Sequence, residues 1–147
     1  MTRLELINRI SDGIIHQEGL LLTPMEALQM HLPWPCIAQI YCNVGNIRDW
    51  KDKNNKSYPK SLGYVNFLSW AGGDPKKALL ESYRVLKVQV GYYIDGKLHG
   101  GKSPTLLEMF EKYAPSVDNN LPIEYAKNVA KFVGSPVNVQ LSSLITA

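Results

Sequence analysis

Two short stretches decide how this chain is read: His16-Gln17-Glu18-Gly19, and Cys42-Asn43-Val44-Gly45-Asn46-Ile47-Arg48. Leu4, Ile7, Ile10, Ile14 and Ile15 recur at spacings of three and four, which predicts a helix over about residues 3–17 with one apolar stripe. Gly19 is its expected stop, so Glu18 falls in or beside the last turn. There a carboxylate meets the negative end of the helix dipole, which favours its protonated form. The second stretch reads as a compact polar loop.

Outward from these stretches the chain reads as mostly helical. Thr23-Pro24 with Glu26 is a capping-box start for a short helix. Pro33-Trp34-Pro35 forbids regular structure. Lys51-Asp52-Lys53-Asn54-Asn55-Lys56-Ser57 reads as a solvated loop, and Gly63–Leu68 as a short strand of a small hairpin. Asp74-Pro75 opens a helix over about 75–90, with Ala78, Leu79, Tyr83, Leu86 and Val90 inward. Ser103-Pro104 is the expected start of a helix carrying Leu106, Leu107, Met109, Phe110 and Tyr113. Pro122 starts a last helix with Tyr125, Ala126, Val129, Ala130 and Phe132 inward, closed by Gly134. The expected fold class is α+β, predominantly α-helical with a small β-hairpin, as one domain over residues 1–147.

Bulk properties narrow the function. The chain has 147 residues, 45% hydrophobic and 20% charged, so it can bury a core. A net charge of +3 is too weak to argue for nucleic acid but suits an anionic polymer such as a cell wall. Cys36 and Cys42 read as free thiols, and no Cys/His spacing suggests a metal. His16, His31 and His99 lack ligand spacing as well. No secretory signal and no membrane-spanning run are evident, so neither membrane nor cofactor is expected.

A helix-end Glu with an Asn/Gly loop is a common way to build a sugar-cleaving cleft. Glycoside cleavage needs a proton donor and usually a second carboxylate. Glu18 is the candidate general acid; Asp49, Asp52 and Asp118 are candidates for the second group, and the sequence does not choose among them. Asn43 and Asn46 can read sugar hydroxyls and amides, and Gly45 lets the backbone approach. The plain alternative is a structural turn whose Asn side chains bond their own backbone. Arg48 can pair with Glu18 or another carboxylate, bind a peptide-stem carboxylate, or form an ordinary surface ion pair. Trp50, Trp70, Tyr113 and Tyr125 are aromatic candidates for stacking on sugar rings, although Tyr125 sits on an apolar helix face and suits a core.

The order Glu18-Gly19, Asn43-Val44-Gly45-Asn46-Ile47-Arg48, Gly63-Tyr64-Val65-Asn66-Phe67, Lys77-Ala78-Leu79, Thr105-Leu106, Tyr113-Ala114-Pro115, Asp118-Asn119-Asn120 and Tyr125-Ala126 resembles a lysozyme-like family of phage virions and bacteria. The resemblance runs over about residues 5–144. It departs at Cys42, where the family pattern has Asn, at Val44, where it has Pro, and at Tyr64, where it has Phe. The resemblance implies a lysozyme-like fold and a muramidase or lytic transglycosylase. Such an enzyme cleaves the bond between N-acetylmuramic acid and N-acetylglucosamine in peptidoglycan. It implies Glu18 as catalytic acid and places Asn43, Gly45, Asn46, Arg48, Tyr113, Asp118 and Tyr125 on the substrate side. The expected partner is the peptidoglycan glycan strand. The expected location is a phage virion, or the cytoplasm of a producing cell with delivery by lysis or a secretion machine. Two rivals stand beside it: a virion or tail structural protein keeping the fold as a wall-binding module, and an adaptor without sugar affinity.

Overall fold

The computed structural model describes residues 1–21, 23–29, 31, 35–114 and 121–146. Among the described residues the fold is α+β and mostly helical, with one small two-stranded antiparallel sheet. The described elements are α1 (Arg3–Glu18), α2 (Pro24–Gln29), α3 (Ile37–Ile40), β1 (Lys60–Ser61), β2 (Tyr64–Val65), α4 (Phe67–Trp70), α5 (Pro75–Ile94), α6 (Leu106–Tyr113) and α7 (Pro122–Val133), followed by a 3-10 turn at Leu141–Leu144. Among the described residues no helix is long and apolar enough to cross a membrane.

The chain divides into two compact units: residues 1–17 with 87–147, and residues 18–86. It passes from one to the other inside α1 and again inside α5.

In the first unit, Leu6, Ile7, Ile10 and Ile14 of α1 are buried, as are Val90 and Ile94 of α5, Leu106, Met109 and Phe110 of α6, and Tyr125, Ala126, Val129 and Val133 of α7. Gly13 lies in the middle of α1, where a glycine ordinarily costs helix stability. Its missing side chain lets α7 approach: a Cβ there would stand 3.0 Å from Val129 Cγ1 and 3.2 Å from Val129 Cα. Thr105 caps α6 by accepting from the Glu108 N–H, and the Glu108 carboxylate accepts from the Thr105 N–H. Gly134 ends α7 in the left-handed region at φ 80°. Leu141 N–H donates to the Pro104 carbonyl, tying the tail to the start of α6.

The second unit is built around the hairpin and the short helices. Its core holds Ala38, Cys42, Val44, Ile47, Tyr58, Val65, Phe67, Ala71, Ala78, Val85 and Leu86. The register pairs Lys60 with Val65 and Ser61 with Tyr64. Thr23 and Glu26 form the expected reciprocal cap on α2, and Asp74 Oδ1 accepts from the N–H groups of Lys76 and Lys77 at the start of α5.

Several expectations are corrected. The strand expected over 63–68 stops at Val65, because the Asn66 side chain accepts from Ser69 N–H and caps α4. The helix after Asp74 runs on to Ile94. The cap of α6 is Thr105, with Pro104 preceding it. Leu4 and Phe132, expected inward, are exposed, while Leu6 and Val133 fill the core. The solvated loop expected at 51–57 is found, exposed at every residue but Asp52 and closed as a turn: Lys51 bridges to Ser57, and Asp52 Oδ1 accepts from the N–H groups of Asn54 and Lys56. Pro33 and Trp34 lie outside the described residues.

Replacing Gly13 by Val pushes a branched side chain into Val129 of α7 and lowers stability by about 1–3 kcal/mol. A thermal melt that matches the wild type contradicts this close approach.

The Arg3 guanidinium pairs with Asp95 at 2.7 Å. Its hydrogen bond and its charge hold the Asp95 carboxyl below its ordinary range, against a smaller opposing effect of burial. A lowered carboxyl contributes stability above its unfolded pKa and loses it as pH falls through the folded value. Both side chains are partly exposed, so the pair is worth at most about 1 kcal/mol. The stability difference between wild type and Asp95→Asn should therefore be small at neutral pH and vanish in strong acid, as read by denaturant titration at both.

Candidate functional site

The second unit contains Glu18 and the loop that the sequence singles out. Helix α1 ends at Glu18, and Gly19 takes φ 86°, the left-handed stop that only glycine adopts freely. The last carbonyls of a helix lack internal partners. Here the Cys36 thiol donates to the Gly19 carbonyl at 3.5 Å and to the Glu18 carbonyl at 3.8 Å. Gln39 Nε2 donates to the Leu20 carbonyl at 3.4 Å, and Gln39 Oε1 accepts from Cys36 N–H at 2.8 Å. Cys36 and Gln39 open α3 and brace the backbone on which the Glu18 side chain stands. The sequence signal is Cys-x-x-Gln, a capping-box spacing with sulfur in place of a hydroxyl.

The loop after α3 is organised by Asn43, which is fully buried. Its Nδ2 donates to the Ile47 carbonyl at 2.8 Å and to the Val65 carbonyl at 3.0 Å, and its Oδ1 accepts from Ile47 N–H at 2.8 Å. The expectation that Asn43 contacts substrate is corrected: it has no exposed surface, and both amide hydrogens are committed to the backbone. Gly45 is also buried. The left-handed positions of the loop are Cys42 at φ 52° and Asn46 at φ 49°. Asn adopts this region at little cost; Cys does not.

Asn46 makes the contact on which the site turns. Its Nδ2 donates to Glu18 Oε2 at 2.6 Å, across 28 positions of sequence. Both residues are half-buried. Being neutral, the amide directs the carboxylate without adding charge. An amide can also serve the protonated acid by turning its oxygen toward it. The Asn46 Oδ1 is buried and has no hydrogen-bond partner among the described residues.

The other expected site residues make the following contacts. The Arg48 guanidinium lies 4.7 Å from the Tyr64 ring centroid and donates to the Tyr64 hydroxyl at 3.1 Å. Asp49 pairs with Lys60 at 2.7 Å, and Asp52 is turned onto backbone N–H groups. Trp70 stacks near Tyr58 and beneath the Lys77 ammonium. Tyr113 and Tyr125 belong to the first unit. Tyr125 is buried there, 4.5 Å from the Phe110 ring, and the half-buried Tyr113 packs edge-on to Phe110 and Tyr93. Burial pushes the Tyr93 hydroxyl up to about 12. Asp118 lies outside the described residues. Cys36 and Cys42 are free thiols, and burial raises the pKa of Cys42.

No protein-family model, curated protein or solved structure matches this chain.

Replacing Asn43 by Ala strands the Ile47 and Val65 carbonyls and the Ile47 N–H. Denaturant unfolding should report a loss of about 2–4 kcal/mol. A loss under about 0.5 kcal/mol would mean that the loop is held by something other than this side chain.

Proposed function

We propose that the protein is a peptidoglycan-cleaving glycosidase of lysozyme-like fold, with Glu18 as the general acid. The observation that carries the reading is the 2.6 Å hydrogen bond from Asn46 to Glu18, made by a half-buried carboxylate at a braced helix end. A proton donor for a glycosidic oxygen must be held in one direction, and this contact holds it. Asn46 orients Glu18, Asn43 holds the adjacent Ile47 backbone, and Cys36 with Gln39 braces the helix end. The target is the bond between N-acetylmuramic acid and N-acetylglucosamine.

Of the candidates for a second carboxylate, Asp118 lies outside the described residues, and the two within them are already engaged. Asp49 is paired with Lys60, and Asp52 is used by its own turn. That favours chemistry in which Glu18 acts first as acid and then as base, with the sugar's own hydroxyl or N-acetyl group completing the displacement, as in a lytic transglycosylase. The rival reading keeps the fold as a non-catalytic wall-binding module of a virion or tail.

Turbidity loss of purified cell walls tests the proposal. Wild type should clear the suspension, and Glu18→Gln should lower the rate at least about 100-fold. Asn46→Ala should lower it about tenfold or more, because the acid loses its orientation. If wild type and Glu18→Gln behave alike, the enzyme reading fails. Mass spectrometry of the products separates the two chemistries, since a transglycosylase leaves anhydro ends.

A further inference from the structure

The positive charge of this chain is concentrated. Residues 48–60 hold five basic residues, Arg48, Lys51, Lys53, Lys56 and Lys60, against Asp49 and Asp52. The remaining 134 residues hold eleven basic and eleven acidic ones, so the whole net charge of +3 resides in this one segment. The segment is also ordered. The Lys51–Ser57 bridge closes it, Asn55 turns the chain at φ 61°, and Asp52 accepts from the N–H groups of Asn54 and Lys56.

Both of its carboxylates are consumed internally. Asp49 is taken by Lys60, and Asp52 faces the turn's own amides. Lys51, Lys53 and Lys56 are exposed and have no carboxylate partner among the described residues. Arg48, at the root of the segment, is two positions from Asn46, the residue that holds Glu18. The chain thus leaves the Glu18 contact and enters an ordered cationic turn in the same unit.

We infer that the turn at residues 51–57 is a recognition element for the carboxylates of the peptide stems on the glycan strand. This inference rests on the reading of Glu18 as a wall-cleaving acid, and it specifies which form of the strand is bound. In a strand that carries its stems, each muramic lactyl carboxyl is masked as an amide, so the repeated carboxylates along the polymer are those of the stem peptides. Ammonium groups on an ordered turn can meet them by charge-assisted hydrogen bonds. Nucleic acid is less favoured, because the turn presents no exposed aromatic ring among its lysines for a base to stack on.

The test measures retention on insoluble walls, using Glu18→Gln so that the walls persist. This protein is compared with the same protein carrying Lys51→Gln, Lys53→Gln and Lys56→Gln, after circular dichroism shows that both are folded. Intact walls should retain the triple variant about tenfold less well, and added salt should erase the difference. Free stem peptide should displace this protein and bring its retention down to that of the triple variant, whereas the same peptide with its carboxylates amidated should not. Equal retention on intact walls overturns the inference. So does a difference that disappears when wall phosphate polymers are removed, and so does displacement by DNA but not by free stem peptide. Cleavage by the otherwise wild-type chain is measured in parallel. If walls are not cleaved but the lysines still govern retention through the peptides, the inference stands and the catalytic reading falls. If walls are cleaved and the lysines are without effect, the reverse holds.

Discussion

The second unit depends on one buried amide. Asn43 is the polar side chain at the centre of that unit's loop, and a buried amide is tolerated only when it is bonded. Its three hydrogen bonds join the two ends of the loop and attach them to β2. Val65 N–H donates in turn to the Ile47 carbonyl, so strand and loop are tied in both directions. With Ile47 fixed, the backbone must turn at Asn46 through the left-handed region, and that turn brings the Asn46 side chain to Glu18. The carboxylate's orientation is thus set by a residue that never touches it.

The loop departs from the pattern it resembles at positions where the structure supplies a substitute. Cys42 occupies a left-handed position that Asn would accept more readily, at a cost of order 1 kcal/mol. Cys42 is buried beside the core residues of its unit, and that burial offsets the strain. Val44 has an N–H that the family's Pro lacks. A buried N–H needs a partner, and Ser82 Oγ accepts it at 3.5 Å while donating to the Leu79 carbonyl. At Val44 the pattern has changed, while the buried N–H it introduces is satisfied.

Local chemistry was legible from the sequence wherever a side chain acts on its own neighbours. Thr23 with Glu26, Asp74 with Pro75, and Gly134 all cap helices as their types require. Legibility failed where a residue has two uses. Asn66 continues an alternating apolar run on paper but caps α4 in the fold. Gly91 interrupts the apolar period of α5, yet the helix continues through it to Ile94, and Arg3 lies over the position, its Nη2 2.9 Å from where a Cβ would stand. At the site, Asn43 and Asn46 are the same residue type three positions apart, and nothing local tells the buried strut from the one that reaches Glu18. That distinction depends on Val65, 22 positions away, and on a backbone angle. Cys36 and Gln39 were missed because a thiol is a poor capping group by propensity, although its spacing to Gln was visible.

Charge was the least legible property, because a total conceals position. A net +3 spread over 147 residues says little about a partner, whereas the same excess confined to residues 48–60 says more. Screening sharpens the difference. At physiological ionic strength an exposed charge is felt over only about 8 Å, so these lysines cannot draw a polymer in from a distance. They act on groups that pass directly over the turn. An ion pair on such a surface is individually weak, so several must engage together before binding changes. A polymer that repeats its carboxylates can supply several contacts at once, as an isolated anion cannot.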